Sequence, residues 1–182
     1  MKGDQLHELL QREVLNLGCG RKQLSGAVNL DITATTNPDI VHDLNVRPWP
    51  FPDNAFREVH AYDVIEHLDD VIVTMEEIHR IGRPRAIVRI TVPHFSCCNA
   101  YTDPTHRHLF TSASFNYFTD ESELGFYTAV RFRIISNQIF FYPTLMNKLV
   151  WRLAKRYPQA YEQRWAWTFP AWFIQFHLEV LK

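Results

Sequence analysis

The chain has 182 residues, a length that makes one domain and leaves no room for separate cofactor and substrate domains. Hydrophobic residues make up 46% and charged residues 21%, which excludes disordered, collagenous and coiled-coil classes. A net charge of −1 argues against a nucleic-acid binder, because such domains carry a strong basic excess. Neither aromatics nor charge is evenly spread. Phe 13, Tyr 7 and Trp 5 place only Trp49, Phe51, Phe56, Tyr62 and Phe95 before residue 101. Residues 1–140 carry 13 Lys and Arg against 18 Asp and Glu, a net −5, whereas residues 141–182 carry 6 against 2, a net +4.

Met1 to Glu13 is polar and holds no apolar core of a secretory signal. No apolar run approaches the 18 residues of a membrane-spanning helix. Cys19, Cys97 and Cys98 are odd in number and lack CxxC spacing, so a disulfide framework and a zinc site are both disfavoured and a reducing cytoplasm is expected. Strand patterns then follow at Glu13 to Leu17, Ala27 to Ile32, Asp39 to Leu44 and Arg57 to Asp63. Only Arg21 to Gly26 separate Gly20 from Ala27, too few for a helix of ordinary length. The prolines of Arg47 to Asn54 mark a loop.

Val71, Met75, Ile78 and Ile81 have helical spacing, and Gly82 and Pro84 are expected to end that helix. Arg85 to Pro93 is β-branched and reads as a fifth strand. Phe95 to Glu123 is loop-rich, Val130 to Phe141 and Phe173 to Leu181 are strand patterns, and Thr144 to Tyr157 reads as a helix with apolar and basic stripes, broken by Pro158. Alternating strands and helices predict an α/β sheet, largely parallel.

Gly18-x-Gly20 after an apolar strand lets the backbone turn sharply and approach a ligand, although two glycines also suit a plain surface turn. Asp31, at the end of the next strand, is where a carboxylate accepts hydrogen bonds from ribose hydroxyls. A third glycine is missing, since Gln23 stands there, and this disfavours a nicotinamide dinucleotide.

The ordered set LNLGCG (15–20), NLDI (29–32), HDLNVRPWPFPDNAF (42–56), AYDVIEHL (61–68), EEIHRIGRP (76–84) and VRITVPHF (88–95) resembles the class I S-adenosylmethionine-dependent methyltransferases, and more narrowly the small bacterial group classed with methyltransferase domain 11. The resemblance implies a Rossmann-like α/β sheet of about seven strands, mostly parallel with an antiparallel last strand, and a shortened first helix. It implies S-adenosylmethionine as cofactor, bound by residues 13–95, with 96–182 facing the acceptor. Asn16, Gly18, Cys19 and Gly20 would border its methionine part, Asp31 and Ile32 its ribose, Asp43 and Leu44 its adenine, and the turn from Tyr62 and Asp63 to His67 its sulfonium. The usual Pro-Gly-Gly before the fifth strand is here Arg83-Pro84-Arg85-Ala86.

A histidine suits proton transfer at neutral pH, and His106 and then His94 are the expected bases. Asp103-x-x-His106-x-His108 could equally bond neighbouring backbone or ligate a metal, and no metal is assigned. Glu66 and His67 could instead cap a helix, and Glu76 and Glu77 read as a solvated face. Tyr157, Tyr161, Trp165, Trp167, Phe169 and Trp172 admit three readings: core, homodimer surface, or membrane contact beside Lys148, Arg152, Lys155 and Arg156. The expected reaction is methyl transfer to oxygen or nitrogen of a small-molecule or glycan-type acceptor, with a lipid-linked acceptor as a variant. Aminocarboxypropyl transfer from the same cofactor, or a silent scaffold with the same fold, are the alternatives.

Overall fold

The computed structural model describes residues 8–123 and 125–182, so the polar start at 1–7 lies outside the described residues. Seven strands form one sheet: β1 (Val14–Leu17), β2 (Val28–Asp31), β3 (Ile40–Val41), β4 (Phe56–Tyr62), β5 (Gly82–Pro93), β6 (Arg131–Phe140) and β7 (Phe173–Leu181). Their spatial order is β3-β2-β1-β4-β5-β7-β6. The first five pair in parallel, and β7 is antiparallel to both β5 and β6. This is the expected mostly parallel sheet with an antiparallel last strand. The third strand is shorter than its sequence suggests, because Asp43 and its neighbours turn away into the proline loop.

The helices that accompany the sheet include α1 (Val71–Ile81), α2 (Asn99–Thr102), α3 (Leu145–Arg156) and α4 (Pro158–Arg164). The Asp70 carboxylate caps α1 by accepting from Val73 N at 3.1 Å. Gly82 ends α1, but Pro84 leaves the next strand uninterrupted, because β5 starts at Gly82 itself. Pro158 breaks α3 and also begins α4, a position where its missing N–H costs nothing. Among the described residues no helix stands between β1 and β2, and none is long and apolar enough to cross a membrane.

The strand register separates two unlike faces. Leu15, Val28, Val59, Val88 and Leu178 form one cross-strand row, fully buried, and α1 covers this face with Met75, Ile78 and Ile81. One residue along, the row on the opposite face is Asn29, Asn16, His60, Arg89, His177 and Ser136, polar on all six strands. Arg89 donates to the Glu58 carboxylate and His60 Nε2 bonds the same carboxylate at 2.9 Å. Burial would raise the Glu58 pKa, but the Arg89 hydrogen bond and charge, helped by the His60 contact, outweigh it and hold the carboxyl below its usual range. Alternation of buried and half-buried residues along β4, β5 and β7 is the signature of a sheet with one dry and one wetter face.

A second polar hub fixes the proline loop to α1. Glu77, expected on a solvated face, is buried: its Oε2 accepts from Trp49 N at 2.8 Å, and both its oxygens accept from Arg80. Arg80 also donates to Phe51 O, Trp49 O and Asp53. Trp49 thereby lies in the core with its Nε1 on Leu44 O at 3.0 Å. Against the pull of burial, the Arg80 fork and the Trp49 N–H hold the Glu77 carboxyl low. Arg80→Met should therefore cost about 3 kcal/mol in urea unfolding, since it strands a buried carboxylate. In the wild type the contribution of Glu77 is fully present above its usual pKa of 4.5 and is lost as pH falls through the lowered one. The difference in stability between wild type and Arg80→Met should accordingly shrink in acid.

Candidate functional site

The connection from β1 to β2 is held by side chains instead of a helix. Asn16 Nδ2 donates to Lys22 O at 3.1 Å and to Asn29 Oδ1 at 2.9 Å, while Asn29 Oδ1 also accepts from Leu24 N and Asn29 Nδ2 donates to Leu24 O. Asn16 is thus buried beneath the glycine loop as its brace. Gly20 N donates to Asp31 Oδ2 at 2.7 Å and Thr33 N to Asp31 Oδ1 at 3.0 Å, so the carboxylate ties the loop to the end of β2. Cys19 is buried, which pushes its thiol pKa up, and its N–H donates to Leu30 O. Ile32 stands exposed just past Asp31.

The two glycines do different jobs, although both have left-handed backbones, φ 57° at Gly18 and φ 49° at Gly20. A Cβ on Gly18 would stand 2.4 Å from Val64 Cγ2, whereas nothing lies within 4 Å of one on Gly20. Gly18 is a packing requirement and Gly20 borders open space.

Asp43 Oδ1 accepts from Asn45 N at 2.9 Å and Leu44 is in the core, so this pair starts the turn after β3. At the end of β4, Asp63 adopts φ 54°, a left-handed conformation that Asp tolerates. Its Oδ1 accepts from Thr91 Oγ1 at 2.9 Å, and Lys22 Nζ reaches its Oδ2 at 3.6 Å, which joins the glycine loop to β4. Sequence reasoning missed Lys22, for which neither position nor spacing gave a signal.

A cleft of about 980 Å³ opens here over the carboxyl edge of β4 and β5. Lys22, Tyr62, Asp63, Glu66, His67, Thr91 and His106 line it together with Phe140, Trp172, Phe173 and Gln175. Glu66 is 1% exposed, and neither carboxylate oxygen has a hydrogen-bond partner. Burial pushes its pKa up to about 8, with Asp63 and Asp103 adding to the rise. The His67 and His106 rings meet edge to face with centroids 4.6 Å apart.

Of the two expected bases, only His106 lines the cleft. His94 is 0% exposed, sandwiched near Phe95 and Tyr161, and it does not line the cleft. Ser96 N donates to its Nδ1 at 3.2 Å, and its Nε2 faces Glu162 Oε1 at 3.4 Å. His94 is therefore a buried strut that joins the end of β5 to α4, and the base role expected for it is corrected. His108 is spent on Leu68 O at 2.8 Å and Asp103 on Thr105, so the sequence trio around His106 does not converge.

Residues 15–90 match the family described as Methyltransferase domain. A SAM dependent methyltransferase from Archaeoglobus fulgidus superposes with a TM-score of 0.63 at 15% identity, over 97% of this chain and 91% of that one. An S-adenosylmethionine dependent methyltransferase from Mesorhizobium loti gives 0.58 at 14% identity, over 97% and 96%. Phosphoethanolamine N-methyltransferase 2 of Haemonchus contortus, in complex with S-adenosyl-L-methionine, gives 0.55 at 14%, over 98% of this chain and 52% of that one. No curated protein matches by sequence. The chain is thus similar to a methyltransferase domain over residues 15–90, and its fold as a whole is the one these S-adenosylmethionine-dependent methyltransferases share.

The cofactor that this likeness implies for the chain is S-adenosylmethionine. Its residues fit that group: a left-handed glycine bordering open space stands beside a carboxylate at the end of β2, and a second carboxylate stands at the end of β4. Beyond the matched stretch, the chain buries Tyr161 but exposes Tyr157, Trp165 and Trp167, so the aromatic tail is only partly core. Gly18→Ala should lower the thermal unfolding midpoint well below that of Gly20→Ala, whose cost is limited to about 1–2 kcal/mol of left-handed backbone strain. Equal midpoints would show that Val64 yields without penalty.

Proposed function

We propose that this chain transfers the methyl group of S-adenosylmethionine to an oxygen or nitrogen of a small or glycan-type acceptor held in the cleft. The observation that carries this reading is the cleft itself, which brings Asp63, two histidines and an aromatic wall around one space. Bound S-adenosylmethionine supplies an electrophilic methyl on a sulfonium, and displacement by an acceptor lone pair leaves S-adenosylhomocysteine. Asp31 accepts from the ribose hydroxyls, and Tyr62, Asp63 and His67 face the sulfonium end. Phe140 and Phe173 stack at 4.6 Å, and beside Trp172, Asn99, Thr102 and Gln175 they combine apolar faces with hydrogen-bonding groups, a composition suited to a sugar ring.

His106 Nδ1 donates to Ala100 O at 3.2 Å, because a carbonyl can only accept, and its Nε2 therefore keeps a lone pair able to take the acceptor's proton. Holding the acceptor in line in a dry site supplies most of the rate. Calorimetric titration should show binding of both S-adenosylmethionine and S-adenosylhomocysteine. Asp31→Ala should weaken that binding by ~1–3 kcal/mol, and His106→Ala should leave it intact while lowering turnover. No binding at millimolar ligand would count against methyl transfer, and methylthioadenosine as the product would mean aminocarboxypropyl transfer.

The acceptor's surroundings are suggested by a second observation. Among the described side chains of 141–172, every exposed charge is basic: Lys148, Arg152, Lys155, Arg156 and Arg164, since Glu162 is buried against Ser112. Trp151, Tyr157, Trp165 and Trp167 are exposed among them, and Leu149, Leu153 and Phe169 line an apolar groove of about 350 Å³. Interfacial aromatics ringed by cations suit an anionic lipid surface, from which a lipid-linked acceptor would be drawn. Vesicles rich in phosphatidylglycerol should sediment the protein in a salt-sensitive way, while phosphatidylcholine vesicles should not. A stable dimer in solution without vesicle binding would assign the face to a second copy of the chain.

A further inference from the structure

Glu66 presents a problem that the methyl-transfer chemistry leaves unsolved. A carboxylate taken out of water without a hydrogen bond is costly, and buried carboxylates are almost always paired or coordinated. Both oxygens of Glu66 lack a partner, yet the residue lines a cleft. One donor atom from each of Glu66, His67 and His106 lies within 4.8 Å of the others, the separation at which three side chains can share one ion.

The hydrogen bonds behind the two imidazoles fix what they offer. Thr105 Oγ1 gives its proton to Asp103 Oδ1 at 2.7 Å, so at its 2.8 Å contact with His67 the hydroxyl must accept, and His67 Nδ1 carries the hydrogen. His106 Nδ1 carries a hydrogen for the same reason, because Ala100 O can only accept. In each neutral ring the nitrogen left with a lone pair is Nε2. A carboxylate reached through a hydroxyl behind one ring, and a backbone carbonyl behind the other, are the outer-shell partners that orient metal-binding histidines and raise their basicity.

We propose that Glu66, His67 and His106 bind one divalent first-row transition ion such as Mn²⁺ or Zn²⁺. Two imidazoles and one carboxylate suit these ions better than Mg²⁺ or Ca²⁺, which prefer oxygen donors throughout. Three protein ligands leave coordination positions open toward the cleft. Asp63 and Asp103, close enough for their charges to act on Glu66, add negative potential around the ion. The ion site stands on these groups alone, and only its consequence rests on the methyl-transfer reading. An acceptor oxygen in an open position would be held and made more acidic, so His106 would serve it as a ligand of the ion in place of a base and the acceptor's proton would pass to solvent water.

The test is titration of chelator-treated, cofactor-free protein with Mn²⁺ alone and with Zn²⁺ alone, followed by calorimetry and, for Mn²⁺, water-proton relaxation. One ion per chain is expected, with affinity reduced at least about tenfold in Glu66→Gln and in His106→Ala, each checked for a wild-type unfolding midpoint. His106 is only half-buried in the cleft wall, so its variant remains informative if Glu66→Gln fails to fold. No ion on the wild type, or equal affinity in the variants, would overturn the site. So would a Glu66→Gln variant that keeps the ion but loses S-adenosylmethionine, because the carboxylate would then serve the cofactor's ammonium group. S-adenosylmethionine titrated into the ion-free wild type tests the methyl-transfer reading separately, and either reading can fail without the other.

Discussion

Asn29, Asn16, His60, Arg89, His177 and Ser136 stand side by side on six strands, so one face of the sheet cannot be packed dry against a layer of apolar helices. Polar groups in such a row need partners, and the molecule supplies them in two ways. At the β2–β1 end the return loop lies against the row, and its backbone becomes the partner of Asn16 and Asn29. At the β4–β7 end the row pairs with itself, Arg89 reaching both Glu58 and His177. The absent first helix and the polar row are thus two sides of one arrangement. Ten residues, 18–27, return the chain from the top of β1 to the foot of β2, which is feasible because a four-residue strand is only about 13 Å long.

The cleft is built on the same face. In register, Tyr62 pairs with Thr91 and Thr91 with Gln175, two residues beyond the His60–Arg89–His177 row, and all three line the cleft floor. The other face, dry under α1, contributes rigidity and no chemistry. Loops from both halves of the chain then supply the walls. Val64 packs against Gly18, and Arg107 N donates to Glu66 O at 2.8 Å, so the turn after β4 is gripped by the glycine loop on one side and by the His106 loop on the other. A shift in either would move Glu66 and His67.

The central strands, α1 and the antiparallel β7 were legible because each has a clean period: Val71–Ile81 holds apolar residues three or four apart, and Phe173–Leu181 alternates. Glu77 was misread for a physical reason. Helical spacing places it beside Glu76, and only the fold brings Trp49 N and the Arg80 fork to its oxygens from 28 positions away and from the next turn. The histidines show the same limit. Proximity in sequence grouped Asp103, His106 and His108, whereas the loop's own turns spend Asp103 on Thr105 and His108 on Leu68, and deliver His106 to His67 and Glu66, 39 and 40 positions upstream. His94 follows a strand at the carboxyl edge, where ligands of open sheets bind. Its side chain, however, points under α4. Motif order located the glycine loop and the strand ends around it, but long-range polar pairing had no local signature to read.

That asymmetry accounts for the aromatic half of the chain. A cofactor corner made of backbone turns and carboxylates needs small residues and few rings, and residues 13–95 contain little else at their strand ends. The β6–β7 hairpin has the opposite task. It continues the sheet past β5 as an antiparallel pair, and its open end carries Phe140 stacked on Phe173, with Trp172 stacked on Tyr142 at 4.8 Å. Phe140, Trp172 and Phe173 line the cleft, while Tyr161, whose hydroxyl donates to Phe169 O at 2.7 Å, seats α4 over the His94 strut. The remaining rings, Trp165 and Trp167 with Tyr157, stay exposed beside basic side chains. One stretch of sequence therefore builds the aromatic wall of the cleft, anchors it to the sheet and turns an amphipathic face outward.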